Sequence, residues 1–182
     1  MRKNLIKTAL IYLMYLYVPI LLSVFSSGIP IVITRFIIKN SGLVEDIVLI
    51  IWGLLIETAV LMLMFYRLKY NDRSIGKRDF LTPLVPALII SLVISMMNSF
   101  FPYTAGMLVT YGGTLVGRLM NVSQEHIMIS PFDVPSYVFF ILFGVRIVIT
   151  VAAVSHAYNF ASKKLSKERE ELLGSKKHEY LI

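Results

Sequence analysis

The sequence predicts an all-α polytopic membrane protein, a four-transmembrane-helix bundle with both termini on the cytoplasmic side. Three observations carry that expectation. Of the 182 residues, 57% are hydrophobic and only 16% charged, against about 45–50% apolar and about 25% charged in an ordinary soluble domain. The apolar residues collect in four runs, each close to the roughly 20 residues that a helix needs to cross a hydrocarbon core of about 30 Å. The basic residues concentrate at the N-terminus, between the second and third runs, and after the fourth, which is the asymmetry that orients helices during insertion. With a mean hydropathy of +0.73, so small a chain has too little interior to hide its apolar surface from water.

The first run, 8–26, follows Arg2, Lys3 and Lys7. It is longer than the apolar core of a signal peptide, about 7–15 residues, and it carries Tyr12, Tyr15, Tyr17 and Pro19, so a retained span is expected. The second span is expected over 47–66, the third over 81–101 and the fourth over 137–158. Two shorter apolar stretches complicate the count. One, near 29–38, is interrupted by Pro30 and Arg35; the other, near 103–120, holds Gly106, Gly112, Gly113, Gly117 and Arg118. Both are expected to be short interfacial or re-entrant segments.

Charge decides for four spans. With four, 14 of the 18 basic residues lie on the cytoplasmic side, three outside (Arg35, Lys39, Arg118) and one, Arg146, within a span. If both short stretches also crossed, the basic loop at 67–78 would move outside, against the positive-inside rule. The chain thus divides into a transmembrane domain, 1–161, and a charged cytoplasmic tail, 162–182, where Lys167 and Glu171 stand four apart on a helical face. The expected location is the cell membrane.

Composition also excludes function classes. The net charge of +7 belongs to membrane topology and anionic headgroups rather than to nucleic acid, since no basic stripe with interleaved aromatics lies outside the apolar runs. The absence of cysteine removes disulfides, thiolate metal sites, iron–sulfur clusters and cysteine nucleophiles. No phosphate-binding loop, dinucleotide fingerprint, G-x-S-x-G or H-E-x-x-H occurs. Neither a cofactor nor a catalytic residue is expected.

Two charges interrupt apolar spans: Glu57 in the second and Arg146 in the fourth. Each lies about ten residues from the outer start of its helix, which puts both near the bilayer midplane at 1.5 Å per residue. An unpaired charge there costs at least about 2.5–3.5 kcal/mol, so an intramembrane charge pair, Glu57 with Arg146, is expected. It can gate a path for protons, ions or a small polar solute, or it can simply staple two helices. A thin polar stripe accompanies it: Tyr12 and Tyr15 on the first span, at helical spacing with Thr8, Pro19 and Ser23, then Ser91, Ser95 and Asn98 on the third, and Thr150 and His156 on the fourth. Small and hydroxyl residues at such spacing also serve close helix packing, and His156 also suits a headgroup interface. In the outer loop Glu125, His126 and Asp133 match no tight ligand spacing, so no metal site is expected. Asn121-Val122-Ser123 forms a glycosylation sequon there, and Gly113 and Gly117 a small-xxx-small pair.

These readings point first to a non-catalytic, structural or assembly subunit of a larger membrane complex, with the lipid bilayer and other membrane subunits or further copies of the chain as partners. The alternative is a small transporter or channel component that moves protons, ions or a small polar solute past Glu57 and Arg146.

Overall fold

A computed structural model of the chain describes residues 2–37, 42–96, 105–119 and 136–179. All their regular structure is helical: α1 (Arg2–Ser26), α2 (Gly28–Val32), a π-helical turn (Ile33–Ile37), α3 (Leu43–Asn71), α4 (Lys77–Leu81), α5 (Leu84–Met96), α6 (Met107–Leu119) and α7 (Ser136–Glu179). Four stretches are long and apolar enough to cross a membrane: Leu5–Phe36, Leu43–Asn71, Lys77–Met96 and Tyr137–Leu172. Each contains or overlaps one of the four predicted runs, but the helices overrun the apolar residues. Charged and aromatic residues at the ends keep good helix propensity while their polar tips reach out of the apolar zone.

The stretch predicted near 29–38 prolongs the first helix. Pro30 has no N–H to offer the Ser26 carbonyl, and the chain turns at Ser27 before resuming as α2. Serine and threonine hydroxyls re-satisfy the backbone around this break: Ser23 donates to Ile20 O (2.8 Å), Ser26 to Ser23 O (3.1 Å), Ser27 to Val24 O (2.6 Å) and Thr34 to Pro30 O (3.0 Å).

α3 is the central element, packed against α1, α6 and α7. At one end the Lys69 ammonium, only 4% exposed, donates to the carbonyls of Arg73 (3.0 Å) and Ile75 (2.8 Å) and so pins the turn that ends the helix. Here a buried cluster joins Tyr12 and Leu16 of α1, Leu61 and Phe65 of α3, Phe80 of α4, Leu84 and Ala87 of α5, and Ala153, Val154 and Ala157 of α7. Its aromatic rings meet edge to face, Tyr12 on Phe65 at 4.9 Å and Phe65 on Phe80 at 5.8 Å, the arrangement their quadrupoles prefer. The Tyr12 hydroxyl donates to Phe80 O at 2.9 Å.

α7 has 44 residues, about 66 Å of helix at 1.5 Å per residue and roughly twice a hydrocarbon core. It runs unbroken through the predicted boundary at 161/162. Beyond the aromatic cluster it is tied to the end of α3, where the Tyr70 hydroxyl donates to Glu168 (2.9 Å) and Arg73 stands 3.9 Å from the same carboxylate.

The stretch predicted near 103–120 contains α6. Its 13 residues give about 20 Å, short of a full crossing. α6 lies antiparallel to α3 and is fastened to it twice: at its start the Met107 N–H donates to Glu57 Oε1 (2.9 Å), and at its far end Arg118 Nε meets Asp46 Oδ2 (2.8 Å). The two anchors are eleven residues apart on both helices, so the registers match without slack. Close approach is possible because Gly53 of α3 faces Met107; a Cβ on that glycine would overlap the Met107 side chain. Leu92 of α5 packs with Ala105, Val109 and Phe143, so the last turns of α5 lie at the height where α6 begins.

Candidate functional site

The polar centre of the bundle is built around Gly106, the residue before α6. Its φ of +84° lies in the left-handed region, which glycine adopts freely and residues with a Cβ do not. A Cβ there would also come within 3.0 Å of Glu57 Oε2 and 3.1 Å of Arg146 Nε. The two charges therefore converge on one backbone position from α3 and α7, and their nearest atoms are at most about 6 Å apart. They are not in direct contact: among the described residues, the ion pairs within 4.0 Å are Arg35–Glu45, Arg73–Glu168 and Arg118–Asp46.

Glu57 is bound by donors. Its Oε1 accepts from the Met107 N–H, the first free amide of α6, and lies 3.1 Å from the Ser23 hydroxyl. That hydroxyl has one proton, shared with Ile20 O at 2.8 Å. The start of a helix carries about half a positive charge, so a carboxylate is the natural occupant of the place. Arg146, 9% exposed, is less well served: its guanidinium lies over the Phe143 ring at 5.6 Å, and Nη1 is buried with no hydrogen-bond partner among the described residues. The Tyr17 hydroxyl is likewise buried without such a partner, and its ring stands near enough to Arg146 to couple with it electrostatically. Beside this group is a cavity of about 20 Å³ lined by Pro19, Glu57, Thr58, Arg146 and Thr150 among others, room for one water-sized species. Pro19 leaves the Tyr15 carbonyl without its helical partner on the same stretch of α1.

The predicted polar stripe does not stay together. Thr150 joins the cavity. Tyr12 and Tyr15 belong instead to the aromatic cluster, where both rings meet Phe65. Ser91 and Ser95 are buried on α5, and Asn98 lies outside the described residues, as do Glu125, His126, Asp133 and the sequon at 121–123. His156 faces outward on α7, on an open surface with Asn159, Phe160 and Lys163. Among the described residues, no three histidine, aspartate or glutamate side chains gather as a metal site would require.

Three contributors escaped sequence reasoning. The Met107 amide is a backbone group and has no side-chain signature. Gly106 is one of four glycines in the stretch near 103–120, and its conformation singles it out only in the fold. Thr58 follows Glu57 directly and was hidden by it. Ser23 did stand on the polar face of the first run. The chain matches no protein-family model, and no curated protein or solved structure matches it.

Proposed function

We propose that the chain is a membrane transport component in which protons or a small ion pass the centre formed by Glu57, Arg146 and the start of α6. In this reading both termini and the basic loop at 67–78 face the cytoplasm, Gly28–Ile37 reaches the opposite interface, and α6 is a half-span. The observation that carries it is the bond from the Met107 N–H to Glu57: a helix begins in the middle of an apolar bundle and aims its positive end at an ionisable side chain. Non-helical backbone at membrane depth is tolerated only where protein buries it or where it lines a polar cavity. Discontinuous helices whose ends face ions and charged groups are how transporters build midplane sites. A staple between two helices would instead close Glu57 and Arg146 into direct contact and leave no donor idle.

The test is flux. Wild-type protein and Glu57→Gln, reconstituted at matched amounts in liposomes with a trapped pH dye, are expected to insert alike, with proton or ion movement lost in the variant. The competing reading, an assembly subunit, draws on the continuation of α7 beyond the bundle with its exposed charges, a surface suited to other membrane subunits or a further copy. It expects Glu57→Gln to lose stability or assembly, because Arg146 is left uncompensated.

A further inference from the structure

The groups that face Glu57 share one property: they donate. α6 presents the Met107 N–H, α1 the Ser23 hydroxyl and α7 the Arg146 guanidinium. The titratable neighbours are Arg146 and, coupled to it from α1, Tyr17; near Glu57, α6 contributes backbone, and α5 brings no titratable group among its described residues. Counting the helix start as about +0.5, Arg146 as +1 and Glu57 as −1, the centre is about half a unit positive when Glu57 is ionised. Once Glu57 takes a proton it is about one and a half units positive in an apolar bundle. Coulomb energies are large at low dielectric, so this balance repels a cation and calls for an anion of single charge.

We infer that the cluster of Ser23, Met107 N–H and Arg146 is a binding site for a small monovalent anion, which the Glu57 carboxylate fills in its absence, and that protonation of Glu57 admits the anion. The inference rests on the transport reading above and names its substrate. Two observations besides the helix start point to a ligand. Arg146, nine-tenths buried, keeps Nη1 without a partner among the described residues, and the adjoining cavity of about 20 Å³ is lined on its polar side by Glu57, Arg146, Thr58 and Thr150 and otherwise by apolar side chains of α1, α3 and α7. A site of that volume takes a water-sized species; together with the space a displaced carboxylate vacates, it suits a halide or nitrate and not a bulky or divalent anion. Because one proton and one anion bind together, the cycle is an electroneutral symport. Linkage makes it reciprocal: the anion raises the proton affinity of Glu57 as much as the proton raises that of the anion.

The test uses full-length protein in vesicles with a trapped pH dye, the membrane potential clamped, and an imposed gradient of chloride, nitrate or gluconate. Chloride and nitrate gradients are expected to drive protons along with them and gluconate to drive none, while Glu57→Gln loses the proton movement. Proton flux indifferent to the anion overturns the inference and leaves the transport reading standing; absence of flux with every anion overturns both. A second measurement does not depend on flux. At constant ionic strength in detergent, chloride in place of gluconate is expected to raise the Tm of Glu57→Gln, in which the carboxylate no longer competes, and not that of the double variant Glu57→Gln with Arg146→Gln. An equal Tm for Glu57→Gln in both salts contradicts the site.

Discussion

The bundle has two interiors that differ in kind. At the Lys69 end of α3, aromatic rings interlock edge to face and the polar groups within them are bonded: Tyr12 to Phe80 O, Lys69 to two carbonyls. Twelve residues along α3, at Glu57, the backbone is left-handed, two opposite charges face one another without contact, and two buried polar atoms, Arg146 Nη1 and Tyr17 Oη, have no partner among the described residues. The first region has the signature of packing selected for stability. The second holds unspent hydrogen-bonding capacity, which is rare in a buried interior and calls for a functional explanation. One helix carries both, so the rigid end can hold the polar centre in place.

The sharpest way to break this division is Phe65→Ala. Fully buried among Tyr12, Tyr15 and Phe80, it is expected to cost about 3–5 kcal/mol, read as a lowered Tm in detergent, while flux per folded molecule stays at the wild-type level. Gly106→Ala is next. It forces a Cβ into a left-handed position between Glu57 and Arg146 and is expected to cost about 1–3 kcal/mol, with flux falling further than stability does. Gly53→Ala drives a Cβ into Met107 and tilts the start of α6 away from α3; overpacking of that kind costs about 1–3 kcal/mol, and a cysteine pair bridging α3 and α6 should then cross-link more slowly. Tyr12→Phe has the smallest expected effect, about 0.5–1.5 kcal/mol for one buried hydrogen bond, with transport unchanged. Equal loss of flux from Phe65→Ala and Gly106→Ala at matched folded protein would erase the distinction.

The four long helices were legible because hydrophobicity over some 20 residues is a strong signal that little else produces. Glu57 and Arg146 were legible as a candidate site for the opposite reason, since a charge in such a run is costly and so informative. Their setting was not. The charge pair is expected from matched depth alone, and its arrangement about Gly106 is not, because depth says nothing of what backbone stands between two helices. Tyr12 and Tyr15 shared helical spacing with Ser23, yet the first two pack on Phe65 and Ser23 reaches Glu57; face alone does not tell a dry contact from a polar one. The predicted fourth span ends at 158, where hydropathy falls; the helix itself continues to Glu179, because helix continuity depends on backbone hydrogen bonds and propensity rather than on apolar side chains.

The central claim is that the Glu57–Arg146 centre is reached by water although it sits amid apolar helices. The chain has no cysteine, so single-cysteine variants report cleanly. Thr150→Cys, at the cavity, is expected to react with a small membrane-impermeant thiol reagent in reconstituted vesicles, whereas Ala153→Cys, one turn along α7 in the aromatic cluster, stays unlabelled. If both positions are equally inert from either side of the membrane, the centre is sealed and the account of its function is wrong.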